Sequence, residues 1–151
     1  MSAMSVRNAN LSDFRALVDI GLDIYTSLEN KAYFNWPAEA LTQELVKAQT
    51  LIVESKGEIV SFLCYRDLVD EYEITVLATR LLSQKNNFQV SLISTLQGFA
   101  AKQRKSIILE VHSQNLKAIA LYKKMSFILL YTRKQYYPDS GSAYVMVWKS
   151  Q

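Results

Sequence analysis

The chain of 151 residues carries one cysteine, Cys64, and one histidine, His112. A single thiol excludes an intrachain disulfide framework. A lone imidazole, with no Cys or Asp at ligand spacing, makes a poor metal site or catalytic triad, so no bound metal is expected. Cys64 lies between Leu63 and Tyr65, where a buried apolar strand residue is expected in place of a nucleophile. Only two prolines and four glycines are present, with no linker, internal repeat or low-complexity tract, so one domain over 1–151 is expected. No apolar run approaches membrane-spanning length, and the N-terminal MSAMSVRNANLSD lacks the apolar core of a signal peptide. A soluble, cytoplasmic protein follows as the expectation. Neither sign of charge dominates. Seventeen Lys and Arg against 14 Asp and Glu leave a net charge of +3, too little to imply nucleic acid, although it favours an anionic ligand.

What is present is a core and an alternation of periods. Half of the residues are hydrophobic, enough at this length to bury a core without staples. Ser12 is the expected cap of a helix to about Leu28, with Phe14, Leu17, Val18, Ile20 and Leu22 on its apolar face. Pro37 suits the first turn of a second helix towards Ala48. Leu51 to Glu54 and Ile59 to Arg66 read as a hairpin about Lys56-Gly57-Glu58, and Glu71 to Thr79 as a further strand. Phe88 to Arg104 is helical in period, with Val90, Leu92, Ile93, Leu96 and Phe99 inward. A strand over Ile107 to Val111 follows, then a helix capped by Asn115 that ends near Met125. Phe127 to Tyr136 and Ala143 to Trp148 close the chain as strands about a Pro138-Asp139-Ser140-Gly141 turn. The order β-α-α-β-β-β-α-β-α-β-β implies an α/β fold (α+β), a mixed central sheet of about six to seven strands flanked by about four helices.

The stretch from Ile107 to Pro138 carries the chemistry. A strand delivers Glu110 to its end and a helix carries Tyr122, a carboxylate and a phenol of the kind that direct acyl transfer to an amine needs. At the end of a buried strand, low dielectric would raise the Glu110 pKa towards a working range. The plainer readings are a solvated strand-end glutamate and a core tyrosine. Glu71 and Glu73 alternate with Tyr72 and Ile74, so they share a strand face, either as a second carboxylate candidate, Glu71 first, or as an exposed edge.

The run Asn115-Leu116-Lys117-Ala118-Ile119-Ala120-Leu121-Tyr122, followed by Phe127, resembles the GCN5-related N-acetyltransferases (GNAT). It is most similar to the bacterial ribosomal-protein alanine N-acetyltransferases, and the likeness covers nearly the whole chain. The resemblance implies acetyl-CoA as acyl donor and a protein N-terminal or small-molecule amine as acceptor. It implies Glu110 as general base, Tyr122 as proton donor to the departing sulfur, and Asn115 as a contact to the pantetheine. Leu77 and Ala78 would lend backbone to that arm, and Trp36, Tyr136 and Tyr137 would shape the acceptor groove. The family's phosphate loop, (Gln/Arg)-x-x-Gly-x-(Gly/Ala), falls on Gln84-Lys85-Asn86-Asn87-Phe88-Gln89, where Asn87 and Gln89 replace the small residues. Asn tolerates the left-handed region that the first Gly serves, whereas Gln89 brings a long side chain to a phosphate position. Lys85, Lys123 and Lys124 are candidate counter-charges. Ser126 stands where the family has a helix-ending Gly. Two alternatives stand beside the enzyme: a binding module that has lost the cofactor, and an acyltransferase with another donor.

Overall fold

A computed structural model describes residues 4–27, 33–134, 136 and 141–150. The chain runs β1 (Met4–Asn8), α1 (Phe14–Thr26), α2 (Ala38–Lys47), β2 (Gln49–Ser55), β3 (Glu58–Asp67), β4 (Glu71–Thr79), α3 (Phe88–Gln103), β5 (Ser106–His112), α4 (Leu116–Lys124), β6 (Ile128–Arg133) and β7 (Ala143–Trp148). The strands form one seven-stranded sheet in the order β1-β2-β3-β4-β5-β7-β6. Every neighbouring pair is antiparallel except β4 and β5, which need the long crossover that α3 supplies. The β2–β3 hairpin turns on Lys56 and Gly57, both at positive φ (54° and 80°), as a two-residue turn matched to strand twist requires.

Each face of the sheet buries its own cluster. Against α3 and α4 lie Tyr72, Ile74, Ile107 and Leu109, with Leu92, Ile93 and Leu96 from α3 and Ile119 and Tyr122 from α4. Against α1 and α2 lie Ile52, Phe62, Cys64, Val76 and Ala78, with Leu17, Ile20, Ile24, Leu41 and Leu45. Among the described residues, none of β5, β6 or β7 belongs to this second cluster.

Several sequence expectations shift. Asn10, not Ser12, starts the first helical segment: its side chain accepts from Ser12 N while Asp13 accepts from Asn10 N at 2.8 Å. A short 3-10 turn, Leu11–Asp13, then leads into α1. The buried stripe of α1 is Leu17, Ile20, Gly21 and Ile24, and Leu22 lies outside it with 42% exposure. Helix α1 ends at Thr26, and Leu28 lies outside the described residues. On α3, Phe88 and Ala100 join the buried face, while Val90 is half-buried. Strand β6 starts at Ile128, because Phe127 turns inward against Tyr122 (ring centroids 5.8 Å apart), and it ends at Arg133. Strand β4 is interior to the sheet, so Glu71 and Glu73 are not on an edge.

Candidate acyl-transfer site

Strands β4 and β5 are paired for only part of their length. Their parallel ladder runs from Glu71↔Ser106 to Ile74↔Leu109. Beyond it β4 continues to Thr79 along β3, and β5 continues to His112 along β7. An irregularity opposite Cys64 and Tyr65 places Thr75 and Val76 in succession on β4 and switches its inward face. Before it, Tyr72 and Ile74 face α3; after it, Val76 and Ala78 face α1 and α2. The strands therefore leave a gap into the sheet where, among the described residues, β4 backbone from Thr75 onward has no ladder partner on the β5 side. Leu77 and Ala78 border that gap, and Glu110 is the first β5 residue past the last pair.

Two carboxylates flank the gap on one face. Glu73 pairs in register with Ile108, two residues from Glu110. Burial first, then the charge of Glu110, holds the Glu73 carboxyl above its ordinary value of 4.5, with Arg66 acting in the opposite direction. Glu71 stands one strand-repeat further from the gap, opposite Ser106. Glu110 is exposed, contrary to its expected burial, and is ion-paired with Arg133 Nη1 at 3.2 Å. That contact was not legible in sequence. It forms because β5 and β6 both pair with β7: Glu110 faces Val145, Tyr131 faces Val145 from the other side, and Arg133 faces Ala143. The intervening side chains are short, so Arg133 reaches over them. Its guanidinium donates to Tyr131 Oη at 3.3 Å and lies over the rings of Tyr131 and Tyr136, at 5.8 and 5.4 Å.

Tyr122 belongs to the opposite face. It is 8% exposed within the α3/α4 cluster, and burial pushes its phenol up to about 12. The same burial makes it a weaker acid than a free phenol. Asn115 caps α4 as expected, its Oδ1 accepting from Ala118 N at 3.3 Å, so its NH2 is the group directed elsewhere. His112 is 8% exposed and its Nδ1 accepts from Gln114 N at 3.0 Å, which places the ring proton of the neutral form on Nε2. Tyr33 packs on this ring (centroids 4.8 Å apart) and donates to Gln114 O at 3.3 Å. The aromatic that reaches the end of β5 is thus Tyr33, whereas Trp36 is half-buried against the α1/α2 cluster. Tyr136 is 51% exposed; Tyr137 and residues 138–140 lie outside the described residues.

The stretch expected to form the phosphate loop contains a left-handed turn. A 3-10 turn, Leu81–Asn86, carries Gln84, Lys85 and Asn86, and Asn87 follows at φ 56° and ψ 32°, the left-handed conformation that a glycine would supply. Helix α3 starts at once, so the Phe88 and Gln89 amides stand in its first turn, while Val90 N already donates to Asn87 O at 3.1 Å. A sixteen-residue helix opening on such a turn fits a pyrophosphate. Lys85 and Gln84 lie within the turn, and Lys123 and Lys124 are exposed at the end of α4. Ser126 also adopts positive φ (72°) and ends α4 as the glycine would. Cys64 is buried, and burial pushes its thiol up to about 12, an unreactive setting. Among the described residues no cluster of His, Cys, Asp and Glu suits a metal ion, and no helix is long and apolar enough to cross a membrane.

Comparison with known proteins agrees with this fold. The profile of the Acetyltransferase (GNAT) family matches residues 14–127. A Bacillus subtilis protein described as a candidate ribosomal protein bS18-alanine N-acetyltransferase is 26% identical over 148 residues, 95% of this chain and 93% of that protein. The crystal structure of the Escherichia coli ribosomal-protein-S18-alanine N-acetyltransferase superposes with a TM-score of 0.84 at 21% identity, covering 98% of this chain and 95% of that one. A candidate acetyltransferase from Salmonella typhimurium, solved with its cofactor acetyl-CoA, superposes with a TM-score of 0.77 at 17% identity, covering 99% and 95%.

Proposed function

The chain belongs to the acetyltransferase (GNAT) family, and we infer that it is an N-acetyltransferase that carries the acetyl group of acetyl-CoA to a protein N-terminal amine by direct attack in a ternary complex. The observation that carries this reading is the gap between β4 and β5, with Glu110 the first β5 residue past the last ladder pair and Glu73 beside it on β4. Acetyl-CoA supplies the acetyl group as an activated thioester. Glu110 receives the proton that the amine nitrogen sheds as it bonds to the acetyl carbon, directly or through a water. Tyr122 gives its proton to the sulfur as the carbon–sulfur bond breaks, and the product is an amide. Glu73 adds a second negative charge that draws a cationic amine to the gap. The NH2 of Asn115 and the backbone of Leu77 and Ala78 would hold the pantetheine arm, and the turn from Gln84 to Gln89 would hold the pyrophosphate. Trp36 and Tyr137 remain groove candidates on the resemblance alone, with Tyr136 beside Arg133 and Glu71 as the outer carboxylate. One domain over 1–151 and a cytoplasmic setting complete the proposal.

Preservation of the left-handed turn at Asn87 favours this enzyme over a binding module that has lost its cofactor. Titration calorimetry with acetyl-CoA tests it. Micromolar binding, reduced when Asn87 is replaced by Pro, is the expected result. No heat at millimolar acetyl-CoA would overturn the reading.

A further inference from the structure

The face that receives the acceptor is not uniformly acidic. Glu73 and Glu110 make one pole, suited to an amine, and Arg133 places a permanent cation 3.2 Å from Glu110. This cation is held in position. Its Nη1 meets Glu110, its Nη2 meets Tyr131 Oη, and the rings of Tyr131 and Tyr136 lie under the guanidinium. Arg133 nonetheless keeps 43% of its side-chain surface exposed, so a ligand has access to it. A guanidinium offers five donors in a fixed fork, and two contacts do not exhaust them. An acceptor lying along β5 and β6 therefore meets a negative pole for its amine and a positive pole about one residue further on.

We propose that Arg133 is a specificity-determining residue that selects acceptor peptides with an acidic side chain, Asp or Glu, at the second position. The proposal rests on the acceptor being an N-terminal amine bound at Glu110, as inferred above. In an extended peptide the α-amine and the carboxylate of residue two stand roughly two Cα spacings apart, about 6–8 Å. That spans an amine hydrogen-bonded to Glu110 or Glu73 and a carboxylate on the far edge of Arg133. A basic second residue would face Arg133 with like charge, so the same group that attracts one class of acceptor repels the other.

The experiment uses three peptides that differ only at residue two, Glu, Gln or Lys, with the full chain, Arg133→Gln and Arg133→Glu. Peptide binding is read by fluorescence anisotropy and kcat/KM by mass spectrometry, so that binding is scored whether or not turnover occurs. The wild type should favour Glu over Lys by about tenfold in both readouts, the range of one partly exposed charged contact. Arg133→Gln should flatten the preference and Arg133→Glu reverse it. Equal binding of the Glu and Lys peptides, or binding of none, would overturn the proposal. A clear Glu preference in binding with no acetyl transfer would uphold it while overturning the inferred reaction. Because Arg133 is exposed, its variants should fold, and circular dichroism checks this.

Discussion

Glu44 and Glu73 are two carboxylates near one arginine, and the sheet treats them oppositely. Glu44, on α2 over β3 and β4, is 5% exposed and fully engaged: Arg66 donates at 2.6 and 2.9 Å and Thr75 Oγ1 at 2.8 Å. The Arg66 hydrogen bonds hold its carboxyl below the ordinary 4.5 against the opposing effect of burial. Glu73, at the mouth of the gap, has burial without such partners, and Glu110 beside it, so its carboxyl is held up. A satisfied charge fastens the helix layer to the sheet, whereas an unsatisfied one is kept ready for an arriving cation. The teaching is that partners, not burial alone, separate a structural carboxylate from a functional one.

The same Glu→Gln change should therefore act with opposite sign at the two positions. Glu44→Gln breaks the bidentate contact and should destabilise the fold by about 2 kcal/mol, near the low end for a buried pair because Arg66 keeps 38% of its side-chain surface. Glu44 has a lowered folded-state pKa, so its contribution is complete above pH 4.5 and is lost as pH falls through the folded value. Thermal unfolding should show the gap between wild type and Glu44→Gln closing in acid. An equal gap at all pH values would remove Glu44 from this role.

Glu73→Gln should have a smaller effect, within about 1 kcal/mol, and in the stabilising direction at pH 7. Here the folded pKa is raised. Ionisation costs the folded state more than the unfolded one, and the cost is absent below the ordinary 4.5, where both states are protonated. The melting-temperature gain of Glu73→Gln should accordingly shrink as pH falls towards 4.5. A loss of stability at pH 7 would mean that Glu73 has structural partners after all, and the contrast with Glu44 would fail.

Local features were readable from sequence because they depend on neighbours within a turn. The hairpin at Lys56-Gly57, the Asn115 cap and the tolerance of Asn87 and Ser126 for positive φ all belong here. The Ser12 cap was misplaced by two residues because Asn10 with Asp13 makes the better reciprocal pair. What sequence did not show is what only the sheet creates. Arg133 meets Glu110 from 23 positions away through their shared partner β7, and Thr75 meets Glu44 across 31 positions. Tyr33 reaches the turn after β5 from 81 positions away. Glu73 could have been singled out over Glu71 only with the β4–β5 register in hand, since period-two alternation ranks them equally.

The most direct test of the account is the acetylation rate of an N-terminal peptide by Glu110→Gln, with acetyl-CoA affinity measured alongside. Glutamine keeps the shape of the side chain and a contact for Arg133 but cannot take up the amine's proton. Turnover should fall about a hundredfold or more, the usual share of a general base, while acetyl-CoA binds as tightly as before. Turnover equal to that of the wild type would contradict the assignment of Glu110 as the group to which the amine loses its proton.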